Sequence, residues 1–278
     1  LSTLLRLGVF TGVGYGIGWL FDQRATLSAA VELQRRELGE LRAIQEALVP
    51  PEMPERPGLE LASCYVPAVQ GVAGDFFIVA AGPGEATILV VGDVLGKGID
   101  AARRASFVRT ALATFAPFSD DPVRLLEMAN YSLIEKAGTS ETFVTAACVT
   151  FRPDQRTASV ALAGHPPPIE LDSGREVGVE PGVPLGVEVD IGCTAASVRL
   201  ERGSGLLLYT DGLIEARRPE AAGADREEFG VERLQRMLVD LPDEPPITVV
   251  GEVRNAAEDF AGGALDDDLC MVALRTRD

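Results

Sequence analysis

"FVTAACVTFRPDQRTASVALAG", residues 143–164, sets two apolar runs of strand length on either side of a short polar turn. Two runs joined this closely read as a hairpin, so the pairing is antiparallel. Outward from it, apolar runs predict further strands over 59–66, 74–80, 86–92, 194–200, 205–210 and 269–275, with the hairpin strands at 142–151 and 157–163. Helical spacing predicts helices over 99–116, 121–137, 227–240 and 246–261. Strands come in runs with helices in pairs between them. That order argues for a layered α+β fold rather than a doubly wound parallel sheet.

Composition narrows the function classes. Of 278 residues, 42 are Asp or Glu against 25 Lys or Arg, a net charge of −17. A nucleic-acid binder needs a basic footprint, and this balance opposes one. Cys64, Cys148, Cys193 and Cys270 form no C-x-x-C pair, so zinc spacing is absent, and they read as small core residues in a reducing compartment. The single histidine, His165, excludes a multi-histidine metal site.

The amino-terminal region differs from the rest. No residue from Leu7 to Phe21 is charged, and glycines at 8, 12 and 16 give overlapping G-x-x-x-G spacings, a pattern that permits close helix–helix approach in a membrane. The run falls short of the ~20 residues of a spanning helix. Residues 1–22 are therefore a candidate membrane anchor, with a protein-packed helix as the competing reading. Residues 23–49 follow as an amphipathic helix. Leu27, Val31, Gln34, Leu38, Leu41, Gln45 and Leu48 recur at a and d spacing, as a regulatory, dimerising helix would require. Pro50, Pro51, Pro54 and Pro57 end it and open the domain at 50–278.

"ILVVGDVLGKG", residues 88–98, invites comparison with a phosphate loop. A Walker loop needs four residues between its glycines, then Lys and a hydroxyl. Here three residues separate Gly92 from Gly96, Lys97 precedes Gly98, and Asp93 adds the wrong charge. What remains is a carboxylate at the end of an apolar strand, where a cation could sit. Three other acidic sites share that position: Asp75 opens "AGDFFIV", Asp211 closes "LLLYTDG", and Asp266, Asp267 and Asp268 precede the final strand. Each alone is explained by a turn. Converging, they would repel one another unless a cation held them, and oxygen ligands without histidine or thiolate suit Mg²⁺ or Mn²⁺.

"LVPPEMPERPGLELASCYVPA", "AGDFF", "VVGDVLGKGIDAA", "ETFVTAACVTF", "AGHPPP", "LLLYTDGLIEA" and "DDDLCMVALR" follow one another in this chain. In order and spacing they resemble the metal-dependent PPM (type 2C) Ser/Thr phosphatases, in particular the bacterial sporulation and stress-response subfamily, over roughly residues 46–276. The resemblance implies a four-layer αββα sandwich of two antiparallel sheets flanked by helices, with two divalent cations, Mn²⁺ or Mg²⁺, at one end. It implies that Asp93 bridges both metals with the Val94 carbonyl as a further ligand, and that Asp75 serves one metal. Asp211 and Asp267 hold the other, with Asp268 beside them. Asp93 and Asp211 then act in catalysis through a metal-activated water.

The same resemblance implies a phosphorylated anti-sigma-factor antagonist as substrate, a homodimer formed through the amino-terminal helix, and a cytoplasmic catalytic domain, tethered to the inner face of the membrane if residues 1–22 span it. The chain departs from the pattern at Leu95 (usually Ser or Thr), at Ala73 before Gly74-Asp75 (usually Gly), and at Cys270 (usually Thr). None of these removes a carboxylate. For His165 the match suggests a loop-shaping residue rather than a catalytic one, and Lys97 reads as solvated. The alternative function is a non-catalytic signalling module with a degenerate metal site. Retention of all four carboxylate positions favours the enzyme.

Overall fold

The structure is a computed structural model and describes residues 53–67, 74–96, 98–137, 142–218, 227–263 and 265–277. The expected anchor over 1–22 and amphipathic helix over 23–49, together with Ala73 and Lys97, lie outside the described residues. Among the described residues no helix is long and apolar enough to cross a membrane.

The strands are β1 (Leu59–Val66), β2 (Phe76–Ala81), β3 (Thr87–Val94), β4 (Val144–Arg152), β5 (Thr157–Ala163), β6 (Ile169–Glu170), β7 (Ala195–Arg199), β8 (Gly205–Tyr209) and β9 (Leu269–Thr276). They form a four-stranded sheet of order β1-β9-β8-β6 and a five-stranded sheet of order β2-β3-β4-β5-β7. Every strand pair in both is antiparallel. The hairpin that decides the fold is β4–β5, closed by the pair Arg152↔Thr157. Its loop places Arg156 at φ 50, a left-handed residue that lets the chain reverse.

The helices are α1 (Ile99–Phe115), α2 (Pro122–Ala137), the single turn α3 (Asp211–Ile214), α4 (Val231–Val239) and α5 (Pro246–Ala261). Asp121 caps α2, its Oδ1 accepting from the amides of Val123 and Arg124 at 3.0 and 3.4 Å, and Pro122 fills the first helical position. Gly262, at φ 74, ends α5 in the left-handed conformation. The helix predicted over 227–240 begins only at Val231. Gly230 stands at φ 75 before it, and residues 227 and 228 pair instead with Arg218 and Arg217.

Layering follows from the period-two side chains. Leu89, Val91, Val149, Phe151, Leu206, Leu208, Cys270, Val272 and Leu274 meet between the sheets. Their alternates Leu207, Tyr209, Leu269, Met271 and Ala273 face α4 and α5 through Leu234, Leu238, Val249, Val250 and Val253. The outer face of the five-stranded sheet is covered by α1 over β2 and β3 and by α2 over β4 and β5. Strand β9 is thus buried on both faces, and its first six residues read as the unbroken apolar run "LCMVAL". The order helix, sheet, sheet, helix is the predicted αββα sandwich. Of the cysteines, all free, Cys148 and Cys270 are buried and Cys64 and Cys193 half-buried.

Candidate active site

The inward-facing rows of the two sheets end in polar residues at the same end of the sandwich. On β3 the row Leu89, Val91 continues to Asp93, which lies opposite Thr145 on β4. On β8 the row Leu206, Leu208 continues to Thr210, and on β9 the row Leu274, Val272, Cys270 continues to Asp268. On β2 the residue two before Phe77 is Asp75. Period two therefore delivers carboxylates from three strands to one mouth of the apolar core. Asp211 opens α3 one residue past Thr210, and Asp267 lies in the turn before β9.

Close packing around glycine fixes these ends against one another. A Cβ on Gly74 would stand 2.7 Å from the Val94 carbonyl oxygen and 3.1 Å from Asp93 Oδ1. A Cβ on Gly212 would overlap the Asp268 carbonyl oxygen and lie 3.5 Å from the Asp267 Cβ. Asp75 and its glycine thus sit against Asp93-Val94, and Asp211-Gly212 against Asp267-Asp268.

Asp75 is buried, and its Oδ2 accepts a 2.7 Å hydrogen bond from Thr210 Oγ1. Asp75 also shares a hydrogen bond with Asp93. That bond raises the Asp75 carboxyl and lowers Asp93. Burial and then Asp93 push Asp75 well above the ordinary carboxylate range, against the pull of Thr210. Burial likewise lifts Asp93 to about 6; the bond to Asp75 opposes this, and Asp211, Asp267 and Asp268 add to it. Asp211 is raised by burial and by Asp267. The charged groups acting most on Asp93 are all acids.

This donor set fits a hard divalent cation: carboxylate and carbonyl oxygens, mutually repelling, with His165 turned to Thr145 and Tyr209 and the nearby Cys270 thiol held protonated by burial. The Tyr65 hydroxyl adds to the fit. It is buried without a hydrogen-bond partner among the described residues, and burial, Asp268, Asp75 and Asp93 all raise its pKa. Among the described residues, however, no three His, Cys, Asp or Glu side chains close into a finished ligand cage. The structure brings Asp75 and Asp93 into direct contact and leaves Asp211, Asp267 and Asp268 coupled to them through space.

His165 is buried behind this mouth. Its Nε2 donates to the Tyr209 carbonyl at 3.1 Å, which leaves Nδ1 to accept from Thr145 Oγ1 at 2.8 Å. Burial lowers its pKa to about 4, against the Tyr209 hydrogen bond, so the ring is neutral. Both nitrogens are engaged and neither faces a substrate. Leu95, at the position where the family pattern has Ser or Thr, is half exposed and holds the chain by donating its amide to the Phe143 carbonyl at 3.0 Å. Thr145, Thr210 and Tyr65 were not singled out by the sequence reading. The only sequence signal for the threonines is a hydroxyl at the terminal inward position of an otherwise apolar row.

The stage II sporulation protein E (SpoIIE) family model matches residues 83–277. Phosphoserine phosphatase RsbU of Bacillus subtilis (strain 168) is 23% identical over 268 residues, covering 95% of this chain and 77% of that protein. The RsbU and RsbW domains of Rv1364c from Mycobacterium tuberculosis superpose with a TM-score of 0.67 at 27% identity. That match covers 81% of this chain and 61% of the two-domain structure. RsbX in complex with magnesium superposes with a TM-score of 0.59 at 17% identity, over 81% of this chain and 98% of that one, a likeness of fold. With β3 to β9 and the acidic ends of β3, β8 and β9 inside the span that the family model matches, the chain belongs to the SpoIIE family of PP2C-type protein serine/threonine phosphatases.

Proposed function

We propose that this phosphatase hydrolyses phosphoserine or phosphothreonine on a phosphorylated anti-sigma-factor antagonist. The substrate class is what the resemblance to the sporulation and stress-response subfamily implies. Two divalent cations, Mn²⁺ or Mg²⁺, would be held by Asp75, Asp93, the Val94 carbonyl, Asp211 and Asp267, with Asp268 beside them. When bound, such ions lower the pKa of water and offset charge on phosphoryl oxygens.

The chain's own residues supply the rest. Thr210 holds one oxygen of Asp75 in place, and Asp93 stands half-buried at the mouth of the core. Leu95 offers no proton to the departing serine oxygen, and His165 is neutral with both nitrogens occupied, so that proton comes from water or another group.

The observation that carries this reading is Asp93, which ends the inward row of a central strand among Asp75, Asp211, Asp267 and Asp268 and is raised to about 6 by burial and by the last three of these, against its bond to Asp75. The test is phosphate release from a phosphoserine peptide. Wild-type protein is expected to turn over with Mn²⁺, to fall silent on chelation and to recover on adding Mn²⁺ or Mg²⁺. Asp93→Asn, with an unchanged circular dichroism spectrum, is expected to lose at least about 1,000-fold in kcat/KM. Near-normal turnover by that variant at saturating Mn²⁺ would overturn the mechanism.

A further inference from the structure

We infer that two hydrogen-bonded rungs, Asp75–Thr210–Cys270 and Thr145–His165–Tyr209, clasp the two sheets together and position the carboxylates; the inference rests on the function proposed above. In the first rung, Thr210 Oγ1 donates to Asp75 Oδ2 at 2.7 Å and accepts from the Cys270 amide at 2.9 Å. Asp75 precedes β2 of the five-stranded sheet, whereas Thr210 follows β8 and Cys270 lies on β9 of the four-stranded sheet. The Cys270 carbonyl, 3.4 Å from the same hydroxyl, is the poorer acceptor for its one proton.

In the second rung, His165 runs from Thr145 on β4 to the carbonyl that ends β8. It too joins one sheet to the other. Among the described residues, the core between the sheets is packed with apolar side chains such as Leu89, Val91, Leu208 and Val272. Apolar contact is non-directional and holds the sheets together without fixing how their ends align. Hydrogen bonds have preferred lengths and angles and do fix it.

The rungs meet the candidate ligands directly. Thr145 lies opposite Asp93, and Tyr209 and Thr210 immediately precede Asp211. Cys270 is two residues beyond Asp268 along the same inward row. The spacing of Asp93 from Asp211 therefore passes through His165, and that of Asp75 from Asp268 through Thr210. A buried hydroxyl and imidazole are unfavourable in an apolar core unless bonded, and here both are fully bonded. Thr210 and His165 are positioning residues: they orient ligands without touching substrate.

The test measures Mn²⁺ binding to the full chain from the electron paramagnetic resonance signal of free Mn²⁺, with melting temperature recorded in parallel. Thr210→Val removes the donor to Asp75 and the acceptor for Cys270 while keeping the side-chain shape. It is expected to weaken Mn²⁺ binding about 10- to 100-fold, the usual loss when a partner of a metal ligand is removed. Thr210→Ser restores the hydroxyl and is expected within roughly threefold of wild type on the same scale. Thr145→Val breaks the other rung away from Asp75 and is expected to weaken binding roughly three- to tenfold.

A folded Thr210→Val that binds Mn²⁺ like wild type would overturn the clasp, as would a Thr210→Ser as weak as Thr210→Val. If Thr210→Val does not fold, Thr145→Val decides, and wild-type affinity in that variant overturns the clasp. A wild-type chain that takes up no Mn²⁺ would instead bring down the proposed function, and the clasp with it. The two failures are thereby distinguishable.

Discussion

Asp93 ends the apolar inward row of a central strand, and the fold and the chemistry make opposite demands on it. Burial and three neighbouring acids favour its protonated form, while ligation of a cation needs the carboxylate. The consequence for the metal-stripped protein has a definite sign. Unfolded, the carboxyl titrates near 3.8; folded, at about 6. Between those values the folded state keeps a proton that the unfolded state has released, so stability falls as pH rises through the window and stays lower above it. Asp75 and Asp211, also raised, push the same way. Metal-stripped protein is therefore expected to melt higher at pH 5 than at pH 7, and Asp93→Asn, which has no proton to lose there, to narrow that difference. Scanning calorimetry of both at the two pH values checks it. A wild-type melting temperature that rises from pH 5 to pH 7 would contradict the burial of these carboxyls.

Among the elements, the ends of β2 and β3 meet at Gly74, where a Cβ would stand 2.7 Å from the Val94 carbonyl oxygen and 3.2 Å from the Val94 Cβ. Val94 is laddered to Val144 on β4 at the end of a central strand, so its carbonyl cannot swing away as a flexible side chain could. Gly74→Ala is expected to leave the circular dichroism spectrum intact yet lower Mn²⁺-dependent phosphatase activity by about 100-fold, because a shift of roughly an ångström at reacting groups is that damaging. Activity within about threefold of wild type would mean that the Val94 carbonyl is not a ligand. This contact also marks how far the sequence could be read. Apolar runs and turn residues placed β1, β5 and α5 at their observed bounds, since each carries a long uninterrupted periodic signal. The two-residue β6 and the single-turn α3 were missed, being shorter than any period. The carboxylates were legible as strand-end acids in family order. Thr210 and Thr145 were not, because the Thr210–Asp75 bond joins residues 135 apart in sequence, and only the stacking of two sheets brings them together.

At the scale of the whole molecule, the proposed ligands come from both sheets: Asp75, Asp93 and Val94 belong to one, and Asp211, Asp267 and Asp268 flank strands of the other. A cation held by all of them must be released when the sandwich opens, so its binding energy appears as stability of the entire fold. At a concentration about 100 times its Kd, a ligand specific for the folded state adds roughly 2.7 kcal/mol. For a domain of about this size, each kcal/mol raises the melting temperature by roughly 2–4 °C. Mn²⁺ is therefore expected to raise the wild-type melting temperature by about 5–10 °C, and relief of repulsion among the acids works in the same direction. The net charge of −17 means that any salt will screen repulsion to some degree, so the comparison is made against Na⁺ at matched ionic strength. Asp93→Asn, lacking the carboxylate at the centre of the set, is expected to gain less than about 2 °C from Mn²⁺ over the Na⁺ control. An equal Mn²⁺ shift in wild type and variant would mean that the ion binds elsewhere on the acidic surface and does not tie the two sheets together at this end.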